Sequence, residues 1–289
     1  MDRDAILRLA LAEDGVGVGP GDLTSRVTLP PGIEGEGGIE AKASFLLAGI
    51  EVAGRVFHLV DPELRFTPHF PDGTPIRSGD EIATISGRLA SILAAERVAL
   101  NYLQHLSGVA TKTARMVEEV ADFSARIVDT RKTTPLMRAF EKEAVRVGGG
   151  FNHRFNLNDG ILIKDNHKDA VGSVGAAVRR AREGAPHTMR IEVEVTTLAE
   201  VEEALAAGAD LILLDNMTLE EMRRAVERIG GRALVEASGG ITLERVRAVA
   251  STGVDFISVG ALTHSVEAVD ISLRLRRTPA PPTGKGDAS

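Results

Sequence analysis

The second half of this chain repeats one pattern: a short apolar run, a loop, an amphipathic helix and another loop. Four successive apolar runs begin at residues 191, 211, 233 and 255, so that 20 to 22 residues separate neighbouring starts. That distance is the length of one β-strand and one helix with their loops. The intervening helical runs begin near Thr197, Thr218 and Thr242, which are predicted N-caps. Repeated units of this kind predict a parallel sheet, either a barrel or a doubly wound sheet.

The first part of the chain lacks this rhythm. It begins with an amphipathic helix, continues with short β-like segments and ends in long helical runs from 90 to 123, with a Ser-Gly break at 107–108. Two further apolar runs, at 126–129 and 161–164, bring the predicted parallel strands to six. We predict domains over 1–107 and 108–270 and a C-terminal segment over 271–289, with a disordered tail from about residue 278.

Composition excludes several classes of protein. The 289 residues include no cysteine, which excludes disulfide scaffolds, Cys-ligated zinc sites and thiol nucleophiles. The formal net charge of -7 and the 3% aromatic content argue against nucleic-acid and anionic-membrane binding. No apolar run approaches the roughly 20 residues of a membrane helix, and the N-terminus lacks the pattern of a secretory signal. We therefore expect a cytoplasmic protein with neither nucleic acid nor a membrane as partner.

Ionisable side chains stand at the ends of the apolar strands, among them Glu192, Glu194, Asp215 and Glu236. In βα folds the carboxyl ends of the strands carry the active site. Glu194 and Asp215 follow apolar runs on successive strands, so their carboxylates should enter the same mouth. They repel each other there unless a cation or a hydroxyl-bearing ligand joins them. The pair suits Mg²⁺, which prefers oxygen ligands completed by water and phosphate, and it also suits ribose hydroxyls.

Glycine turns follow the last two strands. Ser238, Gly239 and Gly240 precede a predicted helix, and Gly260 follows the next strand. Backbone N–H groups without side chains, beside a helix N-terminus, predict a phosphate site; a tight turn alone is the alternative. The sequence has no GxxxxGK[ST] or GxGxxG motif, which disfavours nucleoside triphosphate and dinucleotide folds.

Residues 129–170 concentrate positive charge, with eight Lys or Arg against six Asp or Glu. Arg138, Lys142 and Arg146 share one face of a predicted helix, where a solvated face with ion pairs is the simpler explanation. Other cations stand at strand ends or in a glycine-rich loop, where they suit a ligand with several carboxylates or phosphates: Arg131, Lys132, His153, Arg154 and Lys164.

The strings DTRKT, NHR and IKDNH resemble those of quinolinate phosphoribosyltransferases, and the resemblance extends from about residue 5 to residue 274. It implies an α/β fold with an N-terminal α/β sandwich and an incomplete, seven-stranded, TIM-like parallel α/β barrel, so one barrel strand is still unidentified. It implies a pentosyltransferase that joins quinolinate to 5-phosphoribosyl 1-pyrophosphate with Mg²⁺. The products would be nicotinate mononucleotide, pyrophosphate and CO₂, in de novo NAD biosynthesis.

The resemblance also implies roles for individual residues. Arg131, His153, Arg154 and Lys164 would hold the quinolinate carboxylates, and Lys132 would face the pyrophosphate. Glu194 and Asp215 would hold the ribose hydroxyls and Mg²⁺, directly or through water. Ser238, Gly239, Gly240 and Gly260 would cradle the 5-phosphate, with Thr130 in the same binding site. Lys132, Lys164, Glu194 and Asp215 would be the catalytic group.

A second subunit enters through the same resemblance. Glu96 and Arg97 match a pair that reaches the neighbouring subunit's site, which predicts a homodimer or a larger homo-oligomer. The pattern alone would make Arg97 a surface residue of a helix. Decarboxylation beside a positively charged ring nitrogen needs no base, because the nitrogen absorbs the electrons. We therefore expect no single indispensable proton-transfer residue.

Other functions stay open. A phosphoribosyltransferase acting on nicotinate or a related base without decarboxylation would not need four cations for two carboxylates. A barrel aldolase or isomerase would use Lys164 as a Schiff-base amine. A non-catalytic homologue would be expected to have lost site residues, whereas every motif position is filled here.

Overall fold

Two compact units make up the chain in the computed structural model, which describes residues 2–19 and 21–276. One unit comprises the residues up to Gly108 and the segment that begins at Glu267. The other unit spans Val109–Val266. The predicted disordered tail from about residue 278 lies outside the described residues. Within those residues, no helix combines the length and the apolar character that a membrane span requires.

The described residues form eleven helices, numbered in chain order: α1 (Arg3–Glu13), α2 (Leu23–Thr28), α3 (Ile50–Val60), α4 (Leu89–Glu119), α5 (Arg138–Val147), α6 (Asp165–Val171), α7 (Val174–Gly184), α8 (Leu198–Ala206), α9 (Leu219–Ile229), α10 (Leu243–Ala250) and α11 (Ala261–His264). The same residues form twelve strands: β1 (Glu34–Ala41), β2 (Phe45–Leu46), β3 (Arg65–Pro68), β4 (Pro75–Ile76), β5 (Glu81–Arg88), β6 (Arg126–Val128), β7 (Ile161–Ile163), β8 (Ile191–Val195), β9 (Leu211–Asp215), β10 (Leu234–Ser238), β11 (Phe256–Ser258) and β12 (Ile271–Arg276).

The first unit contains an antiparallel sheet of four strands in the order β12-β1-β5-β3. Ile39 of β1 and Ile85 of β5 are fully buried in its core. Phe57 of the amphipathic helix α3 is also buried and stacks on Phe66 of β3, with the ring centroids 5.7 Å apart. The predicted α/β class of this part is therefore confirmed. Its sheet includes β12, from the segment that the sequence placed after the barrel.

α4 runs without interruption through Ser107 and Gly108, so the predicted break there is wrong. Ser107 is fully buried; its hydroxyl accepts a hydrogen bond from Ala48 N at 3.0 Å and donates one to Ala48 O at 3.2 Å. Because these bonds go to a different segment, the hydroxyl does not compete with the hydrogen bonds of the helix backbone. Tertiary packing overrides the weak helix propensity of the Ser-Gly pair.

The second unit is built on a parallel sheet of six strands in the order β6-β11-β10-β9-β8-β7. All five residues of β8 are buried, as in other parallel sheets covered by helices. A seventh position is occupied by one residue, Phe151, which forms a parallel bridge with Val128 of β6. The guanidinium carbons of Arg126 and Arg146 lie 4.8 and 4.6 Å from the Phe151 ring centre. The predicted incomplete parallel α/β barrel is confirmed with six strands among the described residues, and only this isolated bridge stands where the predicted seventh strand is missing.

Threonines define the starts of the barrel helices in two of the three predicted cases. Thr197 and Thr218 accept hydrogen bonds from the backbone N–H groups of Glu200 and Glu221. Thr242 occupies the N-cap position of α10 but makes no side-chain capping hydrogen bond. These positions fix where each loop after a strand ends, and the predicted site lies in those loops.

Candidate active site

A cavity of about 540 Å³ opens at the carboxyl ends of the barrel strands, and we call it the mouth. Gly260 adjoins one of its lining residues, since a Cβ on this glycine would lie 3.1 Å from Lys132 Cδ. Arg97 belongs to the other unit, where it is exposed on α4 with its Nη2 3.9 Å from Glu96 Oε1. The mouth is lined by the other eleven predicted binding residues: Thr130, Arg131, Lys132, His153, Arg154, Lys164, Glu194, Asp215, Ser238, Gly239 and Gly240.

Glu194 and Asp215 enter the mouth from neighbouring strands. Lys164 Nζ lies 2.7 Å from Glu194 Oε2, so an ammonium group offsets the first carboxylate. Asp215 Oδ2 accepts a hydrogen bond from Asn216 Nδ2 at 2.8 Å. Carboxylate oxygens on a polar cavity wall are the donors that Mg²⁺ prefers, with water and phosphate oxygens completing its shell. The donor set of this pair therefore fits Mg²⁺.

A buried ion pair supports the loop that carries His153 and Arg154. Lys142 of α5 is 3% exposed and donates a short hydrogen bond to Asp129, which is fully buried. Asp129 also accepts hydrogen bonds from His153 N at 2.9 Å and Asn152 Nδ2 at 2.6 Å. Lys142 Nζ donates a second bond to His153 O at 3.1 Å. The predicted solvated face is thus wrong for Lys142, which is buried against Asp129, the residue that follows β6.

Two arginines that line the mouth each have a buried side-chain nitrogen with no hydrogen-bond partner among the described residues. These atoms are Arg131 Nε and Arg154 Nε. Arg154 Nη1 donates to Gly160 O at 2.9 Å, which restrains the side chain. Buried N–H groups without a partner lose free energy, and an anionic oxygen would satisfy them with a charge-assisted bond. These atoms favour a carboxylate or phosphate ligand.

Three titratable side chains meet inside the barrel: His153, Glu192 and Glu236, which we call the barrel-floor cluster. His153 Nε2 lies 2.8 Å from Glu192 Oε2 and 3.9 Å from Glu236 Oε1. His153 Nδ1 accepts a hydrogen bond from Arg154 N at 2.8 Å, so the protein engages both ring nitrogens. The ligand atoms of the three side chains lie within 4.8 Å of one another.

A second cavity, of about 560 Å³, is lined by all three members of this cluster. Its lining includes the first residues of three strands (Ile161, Leu211 and Phe256), so it lies toward the amino ends of the strands. Glu236 lines both cavities, whereas Glu192 lines the second cavity and not the mouth. Burial and the nearby Glu192 carboxylate raise the pKa of Glu236 to about 7. A large fraction of Glu236 is therefore the neutral acid near neutral pH.

The predicted phosphate cradle requires glycine at position 239. Gly239 has a φ of +92°, and a Cβ on it would collide with the Asn216 side chain and lie 2.9 Å from Asn216 N. Asn216 is itself left-handed, with a φ of +55°. Arg245 of α10 donates to Gly239 O at 3.4 Å and to Met217 O at 3.2 Å, which ties together the loops after β9 and β10. A guanidinium group and a helix N-terminus beside this turn favour a phosphate ligand.

Several residues that build the site have no assigned role in the sequence-based prediction. Lys142, Asn216 and Arg245 act through contacts between distant segments, which a sequence pattern does not display. Glu236 does leave a signal, since it is an acid within the apolar run ALVEAS. That signal identifies a strand end but not the chemistry of the side chain.

The chain is similar to known proteins over most of its length. Models of the N-terminal and C-terminal domains of quinolinate phosphoribosyl transferase match residues 22–107 and 109–274. A Bacillus subtilis protein named probable nicotinate-nucleotide pyrophosphorylase (carboxylating) is 45% identical over 260 residues, which cover 89% of this chain and 88% of that protein. The crystal structure of NadC from Streptococcus pyogenes has a TM-score of 0.88 at 46% identity and covers 94% of this chain and 96% of its own. The nicotinate-nucleotide pyrophosphorylase of Ehrlichia chaffeensis has a TM-score of 0.91 at 35% identity, covering 96% and 99%. The chain belongs to the quinolinate phosphoribosyltransferase family.

Proposed function

We propose that this pentosyltransferase transfers phosphoribose from 5-phosphoribosyl 1-pyrophosphate to quinolinate, with release of pyrophosphate and CO₂. The product, nicotinate mononucleotide, serves de novo NAD biosynthesis. The proposal rests on one observation above all: cationic side chains, two carboxylates and a glycine cradle converge in a single cavity. Membership of the family supports the same activity. The predicted cytoplasmic location is part of the same proposal and stays a prediction.

Arg131, Arg154 and Lys164 form the cationic wall that we assign to the two quinolinate carboxylates. The unpartnered Nε atoms of both arginines support this assignment. His153 supports the wall from behind, since its Nδ1 accepts the backbone N–H of Arg154. Fixing the dicarboxylate would hold the ring nitrogen ready to attack C1 of the ribose, an effect of several kcal/mol in well-oriented systems.

Lys132, Glu194 and Asp215 serve the ribose and its leaving group. Lys132 is fixed by hydrogen bonds at both backbone polar groups: its N–H donates to Thr130 Oγ1 at 3.0 Å, and its carbonyl accepts from Thr263 Oγ1 at 2.8 Å. Its ammonium group would face the departing pyrophosphate. Glu194 and Asp215 would hold Mg²⁺, which supplies charge neutralisation of that pyrophosphate. Their own charges would stabilise the oxocarbenium character that develops at C1.

The first test is an assay for the complete reaction. With quinolinate, 5-phosphoribosyl 1-pyrophosphate and Mg²⁺, we expect equal amounts of nicotinate mononucleotide, pyrophosphate and CO₂. Removing Mg²⁺ with EDTA should lower the rate by at least about tenfold, because the leaving group then loses its neutralising charge. Excess Mg²⁺ should restore the rate. Nucleotide formation from nicotinate but not from quinolinate would contradict the proposal and favour the reaction without decarboxylation.

The structure disfavours the Schiff-base alternative. Lys164 Nζ forms an ion pair with Glu194 at 2.7 Å, so a carboxylate already engages the group that a carbonyl substrate would have to reach. A Schiff-base lysine must instead present a neutral amine. Covalent trapping of a carbonyl substrate on Lys164 by borohydride would reverse this conclusion.

We propose a homodimer, or a larger assembly of dimers, in which Arg97 completes the neighbouring subunit's site. A mixture of two inactive variants tests this arrangement. Arg97→Ala and Lys164→Ala subunits, unfolded and refolded together, should regain about a quarter of wild-type activity, since half of the dimers are hybrids with one intact site. The measurement is the rate of nicotinate mononucleotide formation. A mixture no more active than its better parent would exclude a shared site.

A further inference from the structure

The proposed reaction needs a proton donor, and the cationic wall does not supply one. When the C2 carboxylate leaves as CO₂, the bond between C2 and the carboxylate carbon breaks and its electron pair stays on C2. Forming the new C2–H bond then takes one proton from an acid. Because CO₂ held beside C2 can recombine with the carbanion, net decarboxylation depends on that proton arriving. The step needs no base, as the sequence indicated, but it does need an acid. The sequence-based expectation that no single proton-transfer residue is indispensable does not consider this proton, and the proposal of a specific acid replaces it.

The residues of the wall are poor candidates for this acid. Arg131 and Arg154 keep their protons at every physiological pH. Lys164 Nζ is already engaged by Glu194 Oε2 at 2.7 Å. His153, which supports the wall, has both ring nitrogens engaged within the protein, Nε2 by Glu192 and Nδ1 by Arg154 N, so neither is available to a ligand in the mouth.

Glu236 has the position that the acid needs. It lies on β10, at the centre of the parallel sheet between β9 and β11. Glu236 is only 2% exposed, yet it lines the mouth together with the residues of the cationic wall. Its Oε1 atom is buried and has no hydrogen-bond partner among the described residues. A protonated carboxyl group would leave one O–H free to donate toward a ligand in the mouth.

The groups facing Glu236 favour its neutral form. Glu192 adds a second carboxylate in the same apolar interior, and two buried carboxylates do not both ionise readily. His153, Lys164 and Ser258 act in the opposite direction, by positive charge or by hydrogen bonding. Burial and Glu192 outweigh them, which leaves the pKa of Glu236 near the operating pH of a general acid.

We propose that Glu236 is the acid that protonates C2 of the pyridine ring after CO₂ departs. This inference rests on the proposed function and assigns its proton donor. The O–H bond of Glu236 breaks, its proton forms the C2–H bond with the electron pair left by CO₂, and Glu236 becomes a carboxylate. The second cavity, which Glu236 also lines, gives water a route to return the proton while the nucleotide still fills the mouth.

The test is a single turnover of Glu236→Gln, which keeps the shape of the side chain but removes the acid. Pyrophosphate release and the KM for quinolinate should stay within about threefold of wild type, because phosphoribosyl transfer precedes the need for the proton. Nicotinate mononucleotide should form about a hundredfold more slowly, as expected for loss of a general acid. The carboxylated mononucleotide should accumulate and be visible by mass spectrometry.

Two further variants keep the result interpretable. Glu220→Gln is the matched control, since it makes the same change on a carboxylate of α9 whose side chain is 74% exposed and does not line the mouth; its products should appear together at near wild-type rates. Glu236→Asp retains an acid with a shorter reach and should recover part of the decarboxylation, even if the glutamine variant folds poorly. Unchanged nucleotide formation in Glu236→Gln would overturn the inference. Equal losses of pyrophosphate release and of nucleotide formation in Glu236→Gln and in the control variant would overturn it as well. Absence of pyrophosphate release by the wild-type enzyme would instead refute the proposed function itself.

Discussion

Replacing Lys142 by methionine is expected to lower the free energy of unfolding by about 3–5 kcal/mol. The substitution keeps most of the side-chain volume but leaves Asp129 fully buried without its cation. Two groups, His153 N and Asn152 Nδ2, would still donate hydrogen bonds to the Asp129 carboxylate, but neither carries a compensating charge. Urea denaturation followed by circular dichroism measures the effect. We also expect lower activity, because the pair holds the backbone of His153 from both sides.

An exposed ion pair on the barrel surface gives the control for this experiment. Arg224 and Glu220 of α9 lie 2.8 Å apart with side chains 60% and 74% exposed. Arg224→Met removes the same kind of charge, and we expect it to change the free energy of unfolding by less than about 1 kcal/mol. Adding Asp129→Asn to Lys142→Met should recover part of the loss, since it removes the uncompensated carboxylate. Equal small effects at both sites would show that the buried pair does not determine stability.

Gly239→Ala is expected to lower kcat/KM for 5-phosphoribosyl 1-pyrophosphate by about a hundredfold or more. The added methyl group would collide with Asn216, so the turn must move by a large part of an ångström or more. Misplacement on that scale costs about a hundredfold in rate when it affects substrate positioning. Steady-state kinetics with varied 5-phosphoribosyl 1-pyrophosphate measures the loss, and the KM for quinolinate should change far less.

Gly208→Ala separates the collision from the backbone strain. Gly208 has a φ of +80°, similar to that of Gly239, but a Cβ on it meets no atom within 4 Å. Both alanine variants should lose about 1 kcal/mol or more of stability, because alanine disfavours positive φ. Only Gly239→Ala should lose activity. Comparable activity losses in the two variants would mean that strain, and not the shape of the phosphate cradle, governs the effect.

The position of Glu194 and Asp215 could be predicted from the sequence because strand period and strand order are local properties. Each residue follows an apolar run, and successive parallel strands bring their carboxyl ends to one edge. The same reasoning locates Lys132 and Gly239. It requires only that the units repeat, so it does not depend on knowing which side chains touch.

Other features depend on contacts between distant segments and could not be predicted in this way. The helical stripe that includes Lys142 is typical of a solvated face, and only the fold shows that Asp129 meets it. The Ser-Gly pair at 107–108 predicts a helix break, and only the fold shows that the Ser107 hydroxyl forms hydrogen bonds with Ala48. Phe151 has no strand pattern of its own, since one bridge and two arginines hold it in place. The raised pKa of Glu236 depends on burial and on Glu192, which only the folded barrel brings to it.

The pairing of β12 with β1 has a consequence for how the chain is made on the ribosome. β1 forms ladders with both β5 and β12, which are separated in the sequence by the whole of the barrel unit. During synthesis one edge of β1 therefore stays without its partner until the barrel has been translated. An open strand edge is a site for wrong pairing and aggregation. Glycines at positions 35, 37 and 38 leave little apolar side chain on that edge, which lessens the hazard during the wait.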